Sequence, residues 1–209
     1  KAIRRQRQMC IRDSPYVTYD NNYIESEWWA LKSIYDRGLL YKGFKIVPYC
    51  PRCGTPLSSH EVAQGYKAVK ERSAIVRFKV KGEDAYFLAW TTTPWTIPAN
   101  LAITLNPRFE YGLYHTQKGD FLFLCELKDK LVEELAFSSC ELLKTFKGQE
   151  LEGVVTKHPL YGRESPLILA SFVTSDSGTG CVHTAPDHGL DDFNACAKYG
   201  IKPFCPVDE

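Results

Sequence analysis

Long apolar runs are missing from this sequence. The longest, residues 85–90, has six residues, far short of the ~20 that a membrane span needs. The opening also lacks the charged-then-apolar order of a secretory leader, so a soluble, cytoplasmic chain with no membrane partner is expected. A basic excess is lacking too. The formal net charge is +1, and Lys1, Arg4, Arg5, Arg7 and Arg12 against Asp13 account for +4, which leaves −3 for everything after residue 13. Counterion release would give such a body little non-specific hold on nucleic acid, so any such partner must meet a local patch or a shaped pocket. There are no internal repeats or low-complexity tracts. Eight cysteines are present, yet only Cys50 and Cys53 stand close together. Without a leader, free thiols and a metal site fit them better than a disulfide framework. What is there, 44% hydrophobic, 13% aromatic and 24% charged side chains, is enough apolar surface to offset the entropy of ordering the chain, which excludes disordered and fibrous classes.

Residues 1–14 show neither apolar period nor turn chemistry and read as a disordered or non-native arm without function. Ile24, Trp28, Leu31 and Tyr35 fall on one helical stripe, with Asn22 as its cap and Gly38 as its stop, and the stripe predicts a core face. An extended segment then runs into the Cys50-Pro51-Arg52-Cys53-Gly54 knuckle, followed by a polar connection over 55–66. Ala74, Val76, Phe78 and Val80 alternate with charged neighbours, and the turn residues at 81–84 lead into a second apolar run, a hairpin pattern. Further strands are expected at 109–114, 121–126, 151–157 and 167–174, with helices at 127–136 and 190–199. The expected class is α+β, a strand-rich domain of antiparallel, barrel-like sheet. The organisation read from the sequence is an arm at 1–14, a flank at 15–55 and a main domain at 56–209.

Two segments concentrate polar chemistry. Trp90-Thr91-Thr92-Thr93-Pro94-Trp95-Thr96 follows the second hairpin strand and holds uncharged donors and acceptors on a proline-stiffened edge. It suits a neutral polyol or ester such as a ribose, or it is simply a threonine-rich strand end. The segment 176–193 places His183 on a short apolar strand after Gly178 and Gly180, and Asp191 and Asp192 in the first turn of a helix. The positive end of that helix would keep Asp192 ionised and ready for a ligand ammonium, unless it is only a helix-terminus acid. Zinc on His183, His188 and one aspartate is the competing reading, but Pro186 and Gly189 break the two-histidine helix geometry. Cys50 and Cys53 supply two thiolates where tetrahedral zinc needs four.

Together these residues resemble the isoleucyl-tRNA synthetases, specifically their editing insertion with its N-terminal flank. The likeness rests on Asp20-Asn21-Asn22-Tyr23-Ile24-Glu25-Ser26-Glu27-Trp28-Trp29, on Tyr49 through Val62, on Trp90 through Thr96 and on Gly178 through Asp192, and it covers about nine-tenths of the chain. The family's HIGH and KMSKS segments are absent. The resemblance therefore implies a fragment unable to activate isoleucine, with ATP and magnesium used only by absent regions and residues 15–55 flanking a Rossmann-type catalytic core. It implies a deacylase needing no cofactor, whose partners are the 3′ end of tRNA(Ile) carrying valine and the rest of the synthetase chain; a monomer is expected. It assigns Thr91, Thr92, Thr93, Thr96 and Trp90 to substrate binding, His183 to the size limit and Asp192 to the substrate ammonium, the last two as catalytic candidates. Cys50 and Cys53 become half of a structural zinc site completed elsewhere in the parent. The homologous valine enzyme, whose editing clears threonine, and a non-catalytic module that docks tRNA ends remain the alternatives.

Overall fold

The computed structural model describes residues 17–207, so the arm expected at 1–14 lies outside the described residues. The chain falls into two units, Lys1–Lys45 and Ile46–Glu209. In the first, helix α1 (Asn21–Asp36) starts at Asp20, whose Oδ1 accepts from Asn22 N at 2.9 Å. Asp20, rather than Asn22, is the cap. Gly38 at φ +67° ends the helix: its N–H donates to Tyr35 O, and Leu39 N–H donates to Ile34 O, the paired closure that a left-handed residue after a helix allows. The stripe expected to be core is not buried. Ile24 is 38% exposed, Trp28 67%, Leu31 40% and Tyr35 66%. Periodicity writes an apolar face, but only another element laid across it makes a core, and none does among the described residues of this unit.

The second unit opens with the cysteine knuckle, where β1 (Tyr49–Cys50) pairs antiparallel with β2 (Thr55–Pro56). The polar connection expected next is in fact that strand and a short helix, α2 (Ser59–Gln64). Ser58 Oγ accepts from Glu61 N at 3.3 Å while the Glu61 carboxylate accepts from Ser58 N at 2.8 Å, a reciprocal cap. The predicted hairpin follows as β3 (Ala74–Val80) and β4 (Ala85–Thr91), in antiparallel register from Ala74 opposite Thr91 to Lys79 opposite Tyr86.

After a 3-10 turn at Pro94–Ala99 come β5 (Ala102–Leu105), β6 (Glu110–Thr116), β7 (Gly119–Leu124), α3 (Lys128–Glu134) and β8 (Cys140–Lys147). Then follow β9 (Val155–Lys157), β10 (Glu164–Leu169), β11 (Cys181–Thr184) and α4 (Leu190–Lys198). Six strands close in the order β3, β4, β11, β5, β10, β9 and back to β3, while β7, β6 and β8 extend the sheet from β4. The barrel is therefore as strand-rich as expected, but its pairing is mixed. β4 with β7, β4 with β11 and β5 with β10 run parallel. One edge of β4 serves two neighbours: residues 85–87 pair with β7, and Trp90 alone pairs with Val182 of β11.

The core is aromatic and aliphatic, with Phe78, Phe87, Tyr111, Tyr114 and Phe123 almost wholly buried and the Tyr114 and Phe123 rings stacked 4.4 Å apart. A smaller cluster of Ala102, Ile168, Ala195 and Cys196 pins α4 against β5 and β10. That anchorage fixes where the first turn of α4 points.

Candidate functional site

The β4–β11 pairing determines the site. Placing Val182 beside Trp90 brings His183 alongside the threonine segment that leaves β4, and the first turn of α4 closes the other side. The result is a cavity of about 200 Å³ lined by Trp90, Thr91, Thr92, Thr93, Thr96, His183 and Asp192, with Val182, Ala185, His188 and Gly189 completing the wall. Every substrate-binding and catalytic candidate read from the sequence borders this one hollow. Cys50 and Cys53 do not.

Gly178 and Gly180 act behind the wall. Both have positive φ, +72° and +75°, and a Cβ on Gly178 would stand 2.8 Å from the Trp90 ring. Only glycine lets the backbone turn there and support the indole. Between them Thr179, fully buried, donates through Oγ1 to Leu88 O at 2.5 Å, tying the turn to β4.

The threonines form a connected strip. Thr91 Oγ1 accepts from Thr93 N at 3.0 Å, and Thr93 Oγ1 lies 3.4 Å from both Thr91 Oγ1 and Thr96 Oγ1. Thr92 is the exposed member, and its hydroxyl has no partner among the described residues. His183 is held at both ring nitrogens. Asn100 Nδ2 donates to Ala102 O and to His183 Nδ1, each at 2.8 Å, and Asn100 Oδ1 accepts from Ser165 Oγ at 2.6 Å, which fixes the amide's orientation. With Nδ1 accepting, the imidazole proton sits on Nε2 and donates to Thr96 Oγ1 at 2.9 Å; that hydroxyl in turn donates to Thr93 O. Burial first, then His158 and His188 nearby, push the His183 pKa down to about 4. The ring is a neutral, clamped wall with no free nitrogen to take a proton.

Asp192 departs from expectation in its electrostatics. Its Oδ2 accepts from Ala185 N at 2.8 Å, and Oδ1 takes no hydrogen bond among the described residues. Burial pushes its pKa up to about 6, opposed by the Ala185 N–H and by His188 and aided by Asp191. The expected lowering by the helix end is overcome because desolvating a carboxylate outweighs a dipole worth typically ~0.3–1 kcal/mol. Asp192 remains ionised at neutral pH. A bound ammonium would hold it so.

Asn100 and Ser165 were not among the residues singled out in the sequence. Asn100 gives only a weak signal, a fully buried amide just after Pro98-Ala99, and Ser165, 65 positions further on, gives none. For a metal, Cys50 and Cys53 are free thiols on the knuckle, Cys50 held low by the Cys53 backbone and side chain and Cys53 raised by Cys50. Their chemistry fits two positions of a tetrahedral thiolate site. No group of three or more metal-ligating side chains occurs among the described residues, and this includes the His183, His188 and aspartate set.

The sequence is 54% identical over 195 residues to an isoleucine–tRNA ligase of Clostridium kluyveri, covering 90% of this chain and 18% of that protein. It is 46% identical over 204 residues to that of Picrophilus torridus, covering 95% and 19%. The chain thus spans less than a fifth of the length of these curated relatives. The crystal structure of the P. knowlesi cytosolic leucyl-tRNA synthetase editing domain matches with a TM-score of 0.53 at 15% identity, over 66% of this chain and 70% of that one, which establishes a shared fold. The family model for tRNA synthetases class I (I, L, M and V) matches residues 3–158. The chain belongs to the class I tRNA synthetases, with isoleucine–tRNA ligases among its relatives.

Proposed function

We propose that this chain is the editing part of an isoleucyl-tRNA synthetase and hydrolyses the ester that joins valine to tRNA(Ile). The observation that carries the reading is the single cavity in which a carboxylate with one unengaged oxygen, a strip of hydroxyls and a rigid neutral imidazole face one another. A second site is needed because one missing methylene gives only ~1–3 kcal/mol of discrimination, isoleucine against valine being the standard example of that limit.

In this reading Asp192 Oδ1 takes the ammonium of the aminoacyl group, and Thr91, Thr92 and Thr93 meet the ribose and ester oxygens. His183, unable to yield to a larger side chain while Thr96 and Asn100 hold it, limits what enters. An aminoacyl ester is already activated, so orienting it against a water supplies much of the barrier reduction. His183 is a poor general base, since Nδ1 is occupied and Nε2 already carries a proton. The ribose hydroxyl of the substrate is then left to assist the water. Cys50 and Cys53, which do not line the cavity, would contribute two ligands to a structural zinc in the parent protein; ATP and magnesium would belong to the parent's ligation reaction.

The test is single-turnover deacylation of valyl-tRNA(Ile) by the full 209-residue chain. Wild type should hydrolyse it, and Asp192→Ala should lower the rate about a hundredfold or more, as expected when a buried ammonium loses its partner, with a melting temperature no lower than that of wild type. Hydrolysis that survives the substitution refutes the role of Asp192. A wild-type chain that binds but never deacylates supports the non-catalytic alternative.

A further inference from the structure

A second concavity, about 480 Å³, lies on the outer face of the barrel and includes Ile75, Arg77, Lys79, Tyr86, Lys157 and His158 in its lining. Apart from Val76, its β3 residues follow the strand period. Along β3 the buried Phe78 and Val80 point inward while Arg77 and Lys79 point out. Opposite them on β4 the register sets Lys79 against Tyr86 and Ile75 against Trp90. The outward stripe therefore begins beside the Trp90 that walls the editing cavity and runs about 13 Å along β3 to Lys79. There β9 adds Lys157, Cα partner of Lys79.

The charges here are unbalanced. Lys79 is paired with Asp84 at 2.8 Å, and Lys157 stands opposite Glu164 of β10, whose carboxylate is bonded to Lys81 at 2.6 Å; Arg77 and Lys157 themselves make no ion pair among the described residues. Arg77 and Lys79 both lie over the Tyr86 ring, at 5.5 and 5.6 Å from its centroid, so one aromatic side chain anchors both cations. Like charges opposite one another on paired strands are destabilising, and this pairing sits on a body whose net charge is negative after residue 13. Arg77 and Lys157 are thus left without an ion pair, and an anion laid along the groove would meet both.

We propose that this stripe is a phosphate track for the acceptor strand of the tRNA whose 3′ end enters the editing cavity. The inference rests on the tRNA substrate proposed above and adds the surface by which it is held. Cations interleaved with an aromatic along a groove match the polyanionic, single-stranded end of an RNA, and continuity with Trp90 gives the track its direction.

The experiment measures the dissociation constant of the full chain for uncharged tRNA(Ile) ending in CCA, across about 50 to 200 mM salt, for wild type, R77Q/K157Q and the charge-conserving R77K/K157R. A control, K128Q/K130Q, removes the same charge on α3. R77Q/K157Q should bind about tenfold more weakly, with a salt slope flatter by about 1.4 for two lost single-strand contacts. R77K/K157R and the control should stay near wild type. Unchanged affinity and slope in R77Q/K157Q, an equal loss in the control, or no tRNA binding by wild type overturns the track. Should R77Q/K157Q fail to fold, R77Q and K157Q singly carry the test, each with about half the change in slope. Because the tRNA is uncharged, the result is independent of hydrolysis: a chain that binds through the stripe yet never deacylates overturns the proposed function and leaves the track standing.

Discussion

At the scale of the residue, burial acts on His183 and Asp192 in opposite directions, and the proposed editing chemistry rests on both. It keeps the imidazole neutral, so the ring can stand against an incoming ammonium without repelling it. It raises the carboxylate, so Asp192 gains most from a cation that restores its lost solvation. In the proposed editing reaction, selectivity by His183 is a matter of volume. His183→Ala should open the wall and let the chain strip isoleucyl-tRNA(Ile), narrowing a preference for valine that contacts of this kind set at about 10–200-fold; comparing deacylation of the two esters measures it, and an unchanged ratio removes His183 from the specificity filter. The candidates on the threonine strip and the Gly178–Asp192 segment were legible because their residue types are dense and local. Asn100 was not: its role comes from a hydrogen bond to a residue 83 positions away.

At the scale of the element, the sequence was clearest where one face meets solvent. β3 alternates and could be read directly. In β5 all four residues are buried, so there is no period to read, and β8 has an exposed edge with charges among its leucines. α1 was legible as a helix, but its coverage was not, since coverage belongs to a partner element. The turn behind Trp90 offers a sharp element-level test. Gly178→Ala forces a side chain into φ +72° against the indole, which should cost about 1–2 kcal/mol from the backbone alone and slow deacylation by displacing the wall. Gly162→Ala, where a Cβ meets nothing within 4 Å, is the matched control. Equal melting temperatures for the two variants would show that the turn relaxes freely.

At the scale of the whole molecule, the same two buried groups tilt stability against pH with opposite sign. Asp192 rises from 3.8 to about 6 on folding, so its stabilising contribution is full below 3.8 and lost as pH rises through 6, about 3 kcal/mol in all. His183 falls from 6.5 to about 4, so its contribution is full above 6.5 and lost as pH falls through 4, a similar amount. The two nearly cancel. Asp192→Asn should therefore stabilise the chain by about 2–3 kcal/mol above pH 6 and by only about 0.5 kcal/mol near pH 4, measured by urea unfolding at both; equal effects at the two pH values would contradict the burial assigned to Asp192. By itself the sequence determined what can be written locally: the periods of β3 and α1, the glycines of the turn, the cysteine knuckle, and a charge balance that leaves any nucleic acid to a local patch or a shaped pocket. Only the tertiary structure decided that Trp90 pairs with Val182, that Asn100 clamps His183, and that Asp192 is raised rather than lowered. Pairing, clamping and desolvation all depend on segments distant in the chain, and their energies exist only once the barrel has closed.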